Sequence, residues 1–456
     1  MKKLNFLNSF FVSVLFIFMI IFSVFISGIL YGYLENINIS ILITGDALIS
    51  LPLSNHSEPE FMKLINEIRN ADVAITNLEM LIHTYKGYPQ AESGGTYMAA
   101  EPEIARELVW AGFDMVGCAN NHTYDYGLMG ILETTMYLRE AGLVYAGVGM
   151  DLQQARKPGY LLTEKGKVAL FSCASTFVSF GKAGRSRPDL HGRPGLNPLT
   201  VTPEYTIDST TAVKFQNLAR ECKLPSGVIS RGKFRFFGRN FTIGEKYSRS
   251  YKINERDLME ILESIRKTKE NSDWIVMSVH AHQGGNNVPD FLVNFAHLCI
   301  DNGVDLVFSH GPHFLKGIEI YKGRPIFYSL GNFIFQNETI KKLPSEFYER
   351  YGLGDSATPE DAFNARTKND TRGWPTRPEY WESVVATVYF QDGILKKIRL
   401  LPISLGFGKP RGIRGRPVVA GPELGKKIIE KLKLLSEPFN TNIVYTDGLG
   451  VINVNR

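Results

Sequence analysis

The sequence predicts an α/β protein: a sheet-based domain behind one N-terminal membrane-spanning helix. Three observations carry this. Residues 10–30 form an almost unbroken apolar run, FFVSVLFIFMIIFSVFISGIL, and about 20 such residues span a bilayer as a helix. From residue 36 the pattern alternates between short strand-like runs and helical spacing, then becomes strand-rich, the order of an α/β domain. Asp, Glu, Asn or His stands at the C-terminal tip of several of these runs, where functional loops are often built.

The chain has 456 residues, 44% hydrophobic and 21% charged, which is ordinary for a globular protein. A formal net charge of +5 is too mild to imply nucleic acid by itself. Four cysteines (Cys118, Cys173, Cys222, Cys299) show no paired zinc spacing. Cys118 and Cys173 end apolar runs and read as core thiols.

Lys2 and Lys3 precede the apolar run. The positive-inside rule therefore puts the N-terminus in the cytoplasm and everything after Tyr31 outside. The run is longer than a usual signal-peptide core, and no clear Ala-x-Ala site or nearby lipid-acceptor cysteine accompanies it. The expectation is a single-pass cell-membrane protein, with residues 1–35 as anchor and residues 36–456 as an extracytoplasmic domain.

Within that domain, residues 36–44 read as a first strand tipped by Gly45-Asp46. A helix at 61–69 leads to a strand at 73–76, which ends in Asn77-Leu-Glu79. A helix at 103–111 precedes a strand at 113–118 and the loop Ala119-Asn-Asn-His-Thr-Tyr-Asp-Tyr-Gly127. A helix at 128–141 is closed by Gly142. A strand at 168–173, a helix at 255–269 and a strand at 274–279 lead to His280-Ala-His282. A helix at 291–300 and a strand at 304–308 lead to Ser309-His-Gly-Pro-His313. Strands follow at 317–321 and 325–329. Residues 383–390 and 394–403 pair across Gln391-Asp-Gly393, a hairpin signal. The tail holds a helix at 423–435 and a strand at 451–454. Two segments, 175–251 and 336–380, lack clear periodicity and read as insertions on the common domain.

Asp46, Glu79, Asn121, His122, His280, His282, His310 and His313 all stand at strand tips. Carboxylate, amide and imidazole groups are the donors divalent metals take. His310 and His313 form the strongest single element. His280 and His282 alternate on one strand end and point the same way, so one of them suffices as a ligand. A two-metal site holds ions about 3.5–4 Å apart around a bridging carboxylate, a part open to Asp46 or Glu79. His297 lies within a helix and reads as structural.

These segments, in this order and with Tyr328-Ser-Leu-Gly-Asn-Phe333 and Arg414-Gly-Arg-Pro417, resemble the CapA family of bacterial capsule or poly-γ-glutamate synthesis proteins. Their domain is similar to calcineurin-like metallophosphoesterases. The resemblance implies two packed mixed β-sheets flanked by helices, a four-layer sandwich with the metal centre at one sheet edge. It implies Asp46, Glu79, Asn121, His280, His310 and His313 as ligands to one or two divalent ions (Mn, Fe, Zn or Mg). His122 would act as general acid, oriented by Asp125. Asn77, His282 and Asn332 are expected to face substrate. Three departures from the metallophosphoesterase pattern stand out: Leu48 where a histidine is usual, Glu79 in place of an aspartate, and an extra residue between His310 and His313.

Basic residues cluster at Arg185, Arg187, His191 and Arg193, then at Arg231, Lys233, Arg235 and Arg239 among Phe234, Phe236 and Phe237, and again at Lys409, Arg411, Arg414 and Arg416. A groove for an anionic surface polymer is the functional reading, with Arg185 and Arg187 as contacts. The outward topology argues against nucleic acid. Two functions stay open: a metal-dependent hydrolase, phosphoesterase-like, acting in export or anchoring of the polymer, and a non-catalytic polymer-binding subunit of a membrane synthase with a vestigial metal site.

Overall fold

The computed structural model describes residues 38–224 and 232–454. The expected anchor lies outside these. Among the described residues no helix is long and apolar enough to cross a membrane.

The alternating first part gives strands β1 (Asn38–Leu48), β2 (Val73–Leu78), β3 (Met115–Gly117) and β4 (Val144–Ala146), with helices α1 (Pro59–Arg69), α2 (Ile104–Ala111) and α3 (Gly127–Ala141) between them. A hairpin follows, β5 (Gly159–Thr163) and β6 (Gly166–Ala174). The first insertion builds β7 (Val201–Ile207), α4 (Ser209–Glu221), β8 (Lys233–Phe236), β9 (Arg239–Ile243) and β10 (Ser248–Ile253). Next come α5 (Glu255–Lys269), β11 (Trp274–His280), α6 (Asp290–Asp301), β12 (Leu306–His310), β13 (Ile318–Tyr321), β14 (Arg324–Phe327) and β15 (Asn332–Phe335). The second insertion includes α7 (Pro359–Thr367). The chain closes with β16 (Glu382–Gln391), β17 (Ile394–Ser404), α8 (Pro422–Ser436), β18 (Val444–Thr446) and β19 (Leu449–Asn453).

Two mixed sheets result. One runs β18-β19-β17-β16-β1-β2-β3-β4, with β15 paired to the tip of β1; the other runs β13-β14-β12-β11-β6-β5. Strand periodicity sorts the side chains into layers. From β1 and β2, Ile41, Ile43, Val73 and Ile75 meet Val276, Leu306 and Phe308 of the second sheet in one core. Leu42 and Ala74 point the other way, onto Phe61, Leu64, Ile65 and Leu108 of α1 and α2. Likewise Ile275, Met277 and Val307 pack on Ile261, Ile265, Phe291 and Phe295 of α5 and α6. This is a helix–sheet–sheet–helix stack, the four layers expected. In α1 the buried residues Phe61, Leu64, Ile65 and Ile68 keep the spacing that makes one apolar stripe.

The hairpin expected at Gln391-Asp-Gly393 is present. Gln391 pairs with Ile394, and Asp392 and Gly393 both take positive φ (53° and 73°), as a two-residue primed turn requires. Cys118, Cys173 and Cys299 are buried and Cys222 is exposed. His297 sits on α6 with Nε2 3.0 Å from both Glu319 carboxylate oxygens, its ring stacked on Tyr321.

The insertions carry more structure than their periodicity shows. The first forms its own four-stranded sheet, β8-β9-β7-β10, with a small core of Ile207, Ala212, Ala219, Phe234 and Phe236. Strand alternation therefore buries Phe234 and Phe236 and exposes Lys233 and Arg235. These two phenylalanines are core residues, not a surface interleaved with the basic side chains. In the second insertion, α7 begins with a full capping box between Thr358 and Asp361. The basic run at 409–416 is not an open groove. Arg414 is buried against Glu338 and Asp370, Arg411 meets the same two carboxylates, and Arg416 pairs with Glu58.

Candidate metal centre

Strand register brings the distant residues to one place. On β1, Asp46 is the register partner of Asn77 on β2 and of Asn332 on β15. On the second sheet, His280 is the partner of His310. Both sheets thus present their strand tips at the same end. Gly45 permits the close approach of β15, because a Cβ there would overlap the Gly331 carbonyl oxygen, which accepts the Asp46 backbone N–H at 3.0 Å.

Asp46 lies at the centre. Its Oδ1 is 3.1 Å from His310 Nδ1 and 3.7 Å from His280 Nδ1, and its Oδ2 is 3.4 Å from His313 Nδ1. Glu79 stands opposite, with Oε1 3.6 Å from His280 Nε2 and 4.0 Å from His122 Nε2, and Oε2 3.8 Å from His313 Nδ1. His280 Nε2 is 2.9 Å from His282 Nε2. Three overlapping donor groups result: Asp46, His280 and His310; Glu79, His280 and His282; and Asp46, Glu79 and His313. Within each group, ligand atoms lie within 4.8 Å of one another.

The electrostatics suit a bound cation. Both Glu79 carboxylate oxygens are buried without a hydrogen-bond partner, a costly state for a carboxylate that nothing neutralises. Burial, with the Asp46 charge beside it, raises the Glu79 pKa well above the usual carboxylate range. Burial also pushes Asp46 upward, but hydrogen bonds from His310 and His313 outweigh it and hold Asp46 well below that range. Burial, then His282, lowers His280; burial, then His313, lowers His282 to about 3. Neutral imidazoles are the ligand form.

The remaining expected residues surround this centre unequally. His122 Nδ1 pairs with Asp125 Oδ2 at 2.7 Å, and Asp125 also accepts the backbone N–H groups of Gly94 and Met98. Asn121 Nδ2 donates to the Gly94 carbonyl, and its Oδ1 is buried with no partner. Asn77 and Asn332, expected to face substrate, hydrogen-bond two of the expected ligands. Asn77 Nδ2 donates to Asp46 Oδ1 at 2.8 Å, and Asn332 Oδ1 is 2.8 Å from His313 Nδ1. Both are fully buried. His282, also expected at the substrate, belongs to a donor group with Glu79 and His280. Leu48 is buried in the helix-side core. Arg185 and Arg187 do not join the centre. Arg185 pairs with Glu260 in a separate cleft that includes Arg156 and Lys267, and Arg187 pairs with Asp189 on the surface.

Two contributors escape the strand-tip pattern. Ser278 Oγ is 2.8 Å from His310 Nε2; as the residue two before His280 on β11, it shares that strand's inward face. Lys316 is buried and donates to the backbone carbonyls of Asn287 and Gln283, pinning the loop after His282, and burial lowers its pKa to about 8. No periodicity marks a buried lysine held by backbone alone.

The family described as bacterial capsule synthesis protein PGA_cap matches residues 40–337. The chain is similar to an uncharacterized protein, y4sH, of Sinorhizobium fredii: 36% identity over 431 residues, 91% of this chain and 93% of that one. It is 24% identical to the capsule biosynthesis protein CapA of Bacillus anthracis over 294 residues, 64% of this chain and 57% of that one. A probable polyglutamine synthesis accessory protein of Mycobacterium tuberculosis is 26% identical over 272 residues, 59% of this chain and 57% of its own.

Proposed function

We infer the function of this chain from its place in the bacterial capsule synthesis protein family, to which it belongs, and from the chemistry of its strand-tip centre. The proposal is a metal-dependent hydrolase, phosphoesterase-like, that acts on an anionic surface polymer such as poly-γ-glutamate. The N-terminal apolar run would hold it at the outer face of the membrane, beside the subunits of a synthase. The observation that carries the enzymatic part is Glu79: two buried carboxylate oxygens without a partner, facing imidazole nitrogens of three strand-tip loops.

Asp46, Glu79, His280, His282, His310 and His313 would hold the metal, and the imidazole-rich set suits Zn, Mn or Fe better than Mg. Metal bound there supplies Lewis acidity and lowers the pKa of water. The protein's own part is positioning and proton transfer. Asp125, fixed by two backbone N–H groups, takes the Nδ1–H of His122. That leaves Nε2, on the Glu79 side, as the nitrogen that holds and gives up the working proton to a leaving oxygen. Asn77 and Asn332 hydrogen-bond Asp46 Oδ1 and His313 Nδ1 and help to orient them.

The test is hydrolysis of bis(p-nitrophenyl) phosphate and shortening of poly-γ-glutamate by the purified protein. Metal-dependent turnover of either, lost in His122→Ala, supports the enzyme. Equal rates for wild type and His122→Ala would sink it. A second reading draws on the relative named as an accessory protein: a polymer-guiding subunit whose centre serves only stability. Polymer display in cells that survives stable Asp46→Asn protein favours that reading.

A further inference from the structure

The second insertion carries a cation that, among the described residues, has no carboxylate partner. Arg366 on α7 is half-buried, its guanidinium carbon 4.6 Å from the Trp374 ring centroid and 5.7 Å from that of Phe347. Among the described residues, its one hydrogen bond to a protein acceptor runs from Nη1 to Thr96 Oγ1, at 2.7 Å. Among the described residues no carboxylate forms an ion pair with it. The two nearby candidates, Glu338 and Asp370, are taken by Arg411 and Arg414. A guanidinium has five N–H donors, and drawing it out of water with one acceptor costs free energy that a bound anion would offset.

Its location ties it to both sides of the centre. Thr96 follows Gly95, and a Cβ at Gly95 would lie 3.7 Å from His122 Cε1 and 4.0 Å from Nε2. On the other side, Trp374 meets Phe335 edge-on at 6.5 Å, and the Phe335 ring lies 5.8 Å from that of His313. Trp374 Nε1 is buried and has no hydrogen-bond partner, so it is a second donor awaiting an acceptor.

We propose that Arg366, backed by Trp374, is an anion subsite of the strand-tip centre and receives a carboxylate or phosphate group of the substrate on the His122 side. The inference rests on the reading of the centre as a substrate site and gives that substrate its charge. Arginine suits the role because its planar fork matches both oxyanions in two parallel hydrogen bonds. The carboxylate and phosphate sources differ in shape, and binding can separate them.

The experiment titrates the full-length protein in detergent with penta-γ-glutamate and, separately, with inorganic phosphate. Tryptophan fluorescence and calorimetry report binding; melting temperature and metal content are measured in parallel. Wild type is expected to bind at least one probe, and the tighter one identifies the source. Arg366→Ala should weaken that binding by about tenfold or more, and Arg366→Lys by less, because a charge-assisted hydrogen bond contributes about 1.5–3 kcal/mol. Should Arg366→Ala fail to fold, Arg366→Lys and Trp374→Phe decide the matter. Failure of wild type to bind either probe, or affinities of the folded variants within about twofold of wild type, would overturn the subsite. Anion binding that depends on Arg366 in a protein free of metal would remove the metal reading and leave the subsite standing. Bound metal with Arg366-independent affinity would do the reverse.

Discussion

His280 and His310 face each other as register partners on adjacent parallel strands, their Nδ1 atoms 3.0 Å apart. Asp46 Oδ1 lies 3.7 and 3.1 Å from these two nitrogens. Two imidazole lone pairs at that distance repel unless a proton or a cation sits between them. Burial holds His280 well below its ordinary pKa, so the ring is neutral, and either its own N–H or a cation fills the gap. The same strand tips present Glu79 with both carboxylate oxygens buried and without a hydrogen-bond partner.

Residues that hydrogen-bond the proposed ligands should matter almost as much as the ligands. Asn77 and Asn332 each hold one ligand by a 2.8 Å hydrogen bond. Alanine at either is expected to weaken metal affinity about 10–100-fold, read by competition with a chromogenic chelator. Unchanged affinity would mean that Asp46 and His313 are held by the backbone alone.

Chemistry and metal binding should separate at His122. His122→Ala is expected to lower turnover by about 10²–10⁴-fold with metal content unchanged. Asp125→Asn should shift the pH–rate profile as well as the rate, since it replaces the acceptor that fixes the His122 tautomer. Loss of metal in His122→Ala would reassign this histidine as a ligand.

Gly45 is a test of the fold at the centre. Gly45→Ala sets a methyl group against the Gly331 carbonyl, so β15 must move from β1. The expected cost is about 3 kcal/mol, seen in chemical denaturation, together with weakened metal binding. Full stability and full metal binding would show that β15 can yield without disturbing Asp46.

Away from the centre, His83 sets an acid limit on stability. It packs between Tyr85 and Tyr126, with ring centroids 4.7 and 4.2 Å away, and its Nε2 is buried without a partner. Burial lowers its pKa from 6.5 to about 4. The unfolded chain therefore binds this proton first, and stability falls as pH drops from 6.5 through 4. The loss amounts to about 3 kcal/mol. His83→Phe should flatten that part of the stability–pH curve. An unchanged slope would place the acid limit elsewhere.

Much of this fold was legible because periodicity and turn chemistry agree. Ile41, Leu42 and Ile43 alternate between two cores, and Asp392-Gly393 supplies the two positive φ values a tight hairpin needs. Of the six residues expected as ligands on resemblance, five are carboxylates and imidazoles that stand together at the strand tips, and the sixth, Asn121, holds a buried Oδ1 without a partner. What the sequence concealed is the direction of polar side chains. Asn77 and His282 both follow strand tips, yet one braces a ligand and the other stands among the donors. Charge runs misled for a similar reason. Arg411 and Arg414 read as an open basic surface, but their partners Glu338 and Asp370 lie some 40 to 76 positions away in the chain, a pairing no local pattern reveals. Arg366 gave no signal, because an arginine on a short polar helix is ordinary until its neighbours are known to be aromatic.

Elemental analysis of the purified full-length protein, after exposure to Zn, Mn and Fe salts and removal of loose ions, tests the centre most directly. At least one tightly held ion per chain is expected, lost in Asp46→Asn and in His280→Ala variants that remain folded. A wild-type protein that keeps none of these metals, or folded variants that keep as much as wild type, would contradict it.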